Sequence, residues 1–303
     1  MKKICIIGYG SHVKKTIIPS LYLETKNIKI ITTKIINNFE TFSNIQLALK
    51  KLPKDYIFFN STPPKFHYSI SKLILSSGFN LIVEKPLCLN VNQFAKLNNI
   101  AKRNGLFVFE NMMYFYSKQF KILKNLLTKK KIDEIDIKFS IPNFSKNSFR
   151  ADNNIDSSIL FDMGCYPFSL VSYFGLSCKN YKVLYKTKNK KLTFIEVSFI
   201  AKRIKIKITL AIYKSYENYV KVIFKDKSYH QLNHFFYGKQ IKKINYIYEL
   251  KQKIKISKVK EKNLFKSIFN YSNKKLLKLS RAQFLVTKNY LISLNQVKKD
   301  IKL

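Results

Sequence analysis

Tryptophan is absent from this 303-residue chain, glycine and proline occur seven times each, and only four of the 57 basic residues are arginine. So little glycine and proline excludes collagen-like and low-complexity classes. With 46% apolar and 15% aromatic residues, the low-hydrophobicity signature of disorder is also missing, and the length suits about two folded domains. Cys5, Cys88, Cys165 and Cys178 form no CxxC pair, and of His12, His67, His230 and His234 only the last two stand four residues apart, without the Glu of an HExxH motif. Neither a disulfide framework nor a structural zinc site is indicated; no metal is expected, and a cytoplasmic, reducing location fits. The apolar run at 4–7 mimics the start of a signal peptide but stops at Gly8 without a small-residue cleavage site, and no run approaches the length of a membrane span.

Acids are scarce as well: 17 Asp and Glu leave a formal charge of +40. On its face this suggests nucleic acid or an anionic membrane surface. The bases are almost all lysine, however, and they are dispersed, with 16 bases against 5 acids up to residue 117 and 41 against 12 beyond it. An evolved nucleic-acid site gathers its bases and favours bidentate arginine. Lysine accompanied by abundant Ile, Asn, Phe and Tyr fits A/T-rich codon usage instead. The expectation is salt-sensitive, nonspecific stickiness without a specific nucleic-acid or membrane partner.

What is present is an alternation. Short apolar runs at 4–7, 28–31, 56–60, 81–84 and 106–109 read as buried parallel strands. Helical patterns at 12–23, 43–52, 66–77 and 91–104 lie between them, the last ending at Gly105 as a helix C-cap would. The fold class expected is α/β, with an N-terminal Rossmann-type, doubly wound parallel sheet in residues 1–117. Residues 118–303 read as an α+β domain: helices near 117–127 and 157–174, a strand near 134–140, and strand signals from 181 to 256. In 204–210 apolar residues alternate with Lys or Thr, which predicts a large open, mostly antiparallel sheet with one wet face. Helical periodicity returns at 263–297, a segment that is a candidate to pack back on the first domain.

Chemistry-bearing residues cluster at strand ends. Gly8-Tyr9-Gly10-Ser11-His12-Val13 follows the first strand and opens a helix, where backbone N–H groups can approach a pyrophosphate. Val13 stands where a third small residue is usual, so a plain strand-helix turn is an equal reading of this segment alone. The second strand ends in Thr32-Thr33-Lys34 without the carboxylate that would hold the ribose diol of NAD; Thr33 and Lys34 suit the 2′-phosphate of NADP, or are solvated surface. Thr62-Pro63-Pro64 with His67, and Glu84-Lys85-Pro86-Leu87, close the next two strands at the edge where open α/β sheets bind ligands. Asn111, Tyr114 and Tyr116 follow the last strand and face the same edge or pack beneath it.

Together these segments resemble the Gfo/Idh/MocA oxidoreductases, the family of glucose-fructose oxidoreductase, inositol dehydrogenase and dihydrodiol dehydrogenase. The resemblance continues in 147–150, with Arg150, and in 160–167, an Asp-x-Gly-x-Tyr segment carrying Asp162 and Tyr166. It is residue-level to about 175 and architectural beyond. Three departures stand out: Val13, Asp156-Ser157-Ser158 in place of a glycine triplet, and Tyr166 where many members carry His.

The resemblance implies an NAD- or NADP-dependent dehydrogenase or reductase, with a slight lean to NADP, acting on the CH–OH or carbonyl carbon of a sugar, nucleotide sugar or related polyol. It implies cofactor contacts from Gly8, Gly10, Ser11, His12, Thr33, Lys34, Thr62, Pro63, Pro64, His67, Glu84 and Lys85. Substrate contacts would come from Arg150, Asn111 and Tyr114. Lys85 would move the proton if its pKa falls toward neutrality, with Tyr166 as donor or relay and Asp162 orienting Lys85 or a substrate hydroxyl. Two rivals stay open: a cofactor-binding paralogue with a regulatory role and little turnover, and a basic nucleic-acid binder. The small-molecule substrate is expected to be sugar-like and possibly anionic, and the C-terminal sheet is a candidate surface for homo-oligomers.

Overall fold

The computed structural model describes residues 2–21, 25–129, 131–143, 154–212, 215–236, 244–250, 253–259 and 263–302. The chain divides into two compact units, Met1–Met112 with Phe265–Lys288, and Met113–Leu264 with Asn289–Leu303.

In the first unit the apolar runs become strands. β1 (Lys3–Ile7), β2 (Ile28–Ile31), β3 (Glu40–Phe42), β4 (Tyr56–Asn60), β5 (Asn80–Val83) and β6 (Val108–Glu110) form a parallel sheet in the order β3-β2-β1-β4-β5-β6. Ile4, Cys5, Ile6, Phe58, Phe59, Leu81 and Ile82 are fully buried, as strands covered on both faces must be. Strand order reverses between β1 and β4, which opens a crevice beyond the carboxyl ends of those two strands.

The connecting helices start where side chains can satisfy their free N–H groups. Asn44 caps α2 (Ile45–Lys51), its Oδ1 accepting from Leu47 N at 3.0 Å, and α3 (Pro64–Ser76) opens on a proline. Asn90 caps α4 (Val91–Arg103), its Oδ1 accepting from Gln93 N at 2.9 Å, while Gln93 Oε1 accepts from Leu89 N, one residue before the cap, at 3.1 Å. After β1 the helix begins as expected but widens into a π segment, Val13–Ile17, before α1 (Ile18–Leu21). Val13 is fully buried at the place where a small residue is usual. Within the wider turn Ile18 N donates to Val13 O.

The second unit is built on one eight-stranded sheet. α5 (Lys118–Lys129) precedes β7 (Ile132–Ile141); α6 (Ile159–Asp162) and α7 (Cys165–Tyr173) precede β8 (Lys182–Lys188), β9 (Lys191–Ala201), β10 (Ile204–Ile212), β11 (Glu217–Phe224), β12 (Tyr229–Asn233), β13 (Ile244–Leu250) and β14 (Lys253–Val259). The order is β14-β13-β12-β11-β7-β10-β9-β8. Neighbours are antiparallel except β7 and β10, which run parallel. Alternation over 204–210 reports a half-buried strand but carries no information on the direction of its partner, so the parallel neighbour was not foreseen. Ile206, Ile208 and Leu210 are buried and α6 packs on β9 and β10, while on the opposite face Lys207 pairs with Glu196 at 3.2 Å and Tyr219 donates to Asp136 at 3.1 Å.

The helical periodicity of 263–297 resolves into α8 (Leu264–Phe269) and α9 (Asn273–Lys299). Phe269 meets Phe59 at 5.3 Å between ring centroids and Phe284 meets Phe94 at 5.1 Å. Ser280 Oγ donates to Val108 O at 2.7 Å, and Thr287 Oγ1 donates to Glu110 Oε2 at 2.9 Å. Among the described residues no helix is long and apolar enough to cross a membrane, and no group of His, Cys, Asp and Glu is arranged to hold a metal ion.

Candidate active site

The carboxyl edge of the parallel sheet collects most of the residues singled out in the sequence. Gly8 leaves β1 at φ +91°, and a Cβ there would lie 3.2 Å from Ser61 O; the chain turns here because the residue lacks a side chain. At Gly10 an added Cβ would meet nothing within 4 Å, so the backbone is bare on that side. Ser11 and His12 then begin the helix, with Lys14 N bonded to Gly10 O at 3.1 Å. A bare glycine loop running into a helix start fits the pyrophosphate of a dinucleotide, which needs close backbone approach and positive charge.

Past β4, the fully buried Asn60 fixes the next segment, its Oδ1 accepting from Thr62 Oγ1 at 2.7 Å and from Thr62 N at 3.3 Å. Pro63 and Pro64 lead into α3, where His67 is fully buried. Its Nδ1 lies 2.7 Å from Pro86 O and its Nε2 2.7 Å from Thr62 O. In the neutral ring one of the two nitrogens donates. Burial pushes the His67 pKa down, against the opposing influence of the two carbonyls and Glu84. His67 therefore ties the Thr62 segment to the Lys85-Pro86 segment from behind.

Glu84 follows β5 and is held in place at three points. Its backbone N donates to Asn60 O at 2.9 Å, Asn111 Nδ2 donates to its Oε1 at 2.7 Å, and His12 Nε2 lies 3.5 Å from the same oxygen. Burial would raise the Glu84 pKa, but His12, Asn111 and the Lys85 ammonium outweigh it and hold the carboxyl below its ordinary value. Lys85 is half-buried beside this carboxylate, and its bond to Pro86 is cis. Glu110 and Asn60, neither of which the sequence singled out, anchor the edge; Glu110 Oε1 accepts from Leu87 N at 2.8 Å. They were missed because each is a single polar residue closing an apolar strand. Thr33 and Lys34 lie exposed past β2, Lys34 N bonding Thr32 Oγ1 at 3.1 Å, and no acid follows the strand.

In the second unit the helix expected over 157–174 is interrupted. Ile155–Ser157 is a 3₁₀ turn, and α6 and α7 are separated at Met163-Gly164. A Cβ on Gly164 would lie 2.1 Å from Leu160 O, so glycine alone fits. Asp162, buried, closes α6, and Tyr166 stands in the first turn of α7, so the four-residue spacing spans two helices instead of one. Tyr166 is half-buried among Phe236 at 5.5 Å, Phe139 at 5.6 Å and Tyr114 at 6.1 Å. Tyr114 is fully buried, its hydroxyl bonded to Ser169 Oγ at 2.8 Å. Arg150 and the rest of 144–153 lie outside the described residues. A depression of about 330 Å³ opens where Tyr216 stacks on His234, lined also by Asn218, Tyr219 and Gln231. No motif in the sequence marked it.

Residues 2–112 match the model of the "Oxidoreductase family, NAD-binding Rossmann fold", GFO_IDH_MocA. Two curated relatives align with part of the chain. A dTDP-3,4-didehydro-2,6-dideoxy-alpha-D-glucose 3-reductase of Streptomyces violaceoruber is 26% identical over 113 residues, 36% of this chain and 33% of that protein. A trans-1,2-dihydrobenzene-1,2-diol dehydrogenase of Xenopus tropicalis is 25% identical over 122 residues, 39% of this chain and 36% of the other. The aligned part thus spans about a third of those relatives. The fold is shared over nearly the whole chain with KijD10, a 3-ketoreductase from Actinomadura kijaniata solved with NADP and TDP-benzene: TM-score 0.83, 16% identity, 97% of each chain. Motif, strand order and model match agree that residues 2–112 are similar to the NAD-binding Rossmann fold of the Gfo/Idh/MocA oxidoreductases.

Proposed function

We propose that this protein is an NAD(P)-dependent oxidoreductase acting on a hydroxyl or carbonyl carbon of a sugar or nucleotide sugar. The observation that carries the reading is the convergence of the Gly8–Gly10 loop, Glu84-Lys85 and Asn111 on one sheet edge. Similarity to a deoxysugar reductase and a dihydrodiol dehydrogenase supports the substrate class. Exposed Thr33 and Lys34, in the absence of an acid after β2, support NADP over NAD.

When bound, a nicotinamide cofactor supplies or accepts the hydride. The chain's own work is then to bind, orient and handle one proton. The glycine loop and helix start at Ser11 hold the pyrophosphate, and Glu84 fixes the neighbourhood of the ring through Asn111 and His12. Lys85 gives a proton to the substrate oxygen during reduction, or removes it during oxidation. Tyr166 and Asp162 are proposed as its catalytic companions, as the family resemblance implies. A panel of keto-sugars and nucleotide keto-sugars, followed by NADPH absorbance, identifies the reaction. On the substrate found, Lys85→Met is expected to lower turnover by about 100-fold or more while changing NADPH affinity only slightly. Unchanged turnover would remove Lys85 from the chemistry.

A further inference from the structure

Asn111 carries an acceptor that no other described residue uses. Its side chain sits just beyond β6, only 2% exposed, and among the described residues its Oδ1 is buried without a hydrogen-bond partner. The orientation of the amide is fixed by chemistry, since the Glu84 carboxylate accepts and does not donate. Nδ2 must therefore be the atom 2.7 Å from Glu84 Oε1, and Oδ1 must face away from it. Asn111 N, bonded to Val83 O at 2.9 Å, holds the backbone at the end of the sheet, so the amide has little freedom to turn elsewhere.

A buried carbonyl oxygen left unpaired is costly, and persistent cases ask for an external donor. This one lies beside Glu84, the residue preceding Lys85, at the edge where open α/β sheets bind ligands. We infer that Asn111 is the residue that recognises the carboxamide of a nicotinamide ring, its Oδ1 accepting a hydrogen bond from the carboxamide NH2. This rests on the dinucleotide reading above and goes beyond it by assigning one atom to one group. Glu84 acts as the positioning residue: it orients the Asn111 amide, and the amide in turn fixes which face of the ring is presented.

The test compares two reduced cofactors that differ only at that group, NADPH and its 3-acetylpyridine analogue, in which a methyl replaces the NH2. Affinities are read by intrinsic cofactor fluorescence, without turnover. The wild-type protein is expected to bind the analogue about 10-fold more weakly, the scale of one unmade hydrogen bond to a buried acceptor. In Asn111→Leu, NADPH binding is expected to weaken to the level of the analogue, so that discrimination disappears. Equal wild-type affinities would overturn the assignment while leaving the cofactor reading intact, and this arm needs no variant to fold. Discrimination that persists in Asn111→Leu would overturn it equally. Failure of the wild type to bind either compound, or their NADH counterparts, would instead remove the cofactor reading on which the assignment rests.

Discussion

His67 shows how one buried side chain can tie two loop segments together. Its ring spans 2.7 Å contacts to Pro86 O and Thr62 O, and burial lowers its pKa. The native state then resists the proton that the unfolded chain accepts near pH 6.5. The unfolded state binds more protons below that pH, so this contribution to stability is complete above about 6.5 and is lost as the pH falls toward the native pKa. Each pH unit in that window costs up to ~1.4 kcal/mol. Urea titrations at pH 7.5 and 5.5 should show a larger acid loss in the wild type than in His67→Gln; equal losses would mean that another group sets the slope. Glu84, whose pKa is held down, works in a separate and more acidic window: its contribution is present above its ordinary value and lost below it.

Elements were legible in proportion to their hydrophobic signal. The strand at 28–31 and that at 56–60 fall on the residues read from sequence, because each is mostly apolar and largely buried, with Lys29 and Asn60 the polar exceptions. Glu40–Phe42 went unread: three residues, two of them polar, leave no period to detect. The break at Met163-Gly164 was invisible because its cause, the approach of Leu160 O, is a matter of backbone path and not of composition. Of the site, the glycine loop and Glu84-Lys85 were readable as motifs, whereas Asn60 is a single polar strand end bonded to nearby Thr62 and Glu110 acts through partners far along the chain. On the proposed dinucleotide reading, the segment after β2 is where the choice between cofactors is made. An acid placed there would repel a 2′-phosphate and accept from a ribose diol. Thr33→Asp combined with Lys34→Ala is therefore expected to move the NADPH/NADH affinity ratio toward NADH by about 10-fold or more. A ratio that does not move would place the discriminating group elsewhere.

For the whole molecule the dominant property is charge. A formal +40 with dispersed lysines gives a field that draws in anions. Unrelated DNA duplexes of equal length are expected to bind with the same affinity at 50 mM salt and to lose roughly 10³-fold or more of it by 200 mM. Measured by fluorescence anisotropy, one duplex retained at high salt while the others dissociate would point to a real nucleic-acid partner.

The partition of the chain also bears on its synthesis. Glu110 closes the parallel sheet with one carboxylate oxygen on Leu87 N and the other on Thr287, a residue made only after the entire eight-stranded sheet. A nascent polypeptide emerging from the ribosome would therefore carry the parallel sheet unfinished, its last strand short of a partner until α9 arrives.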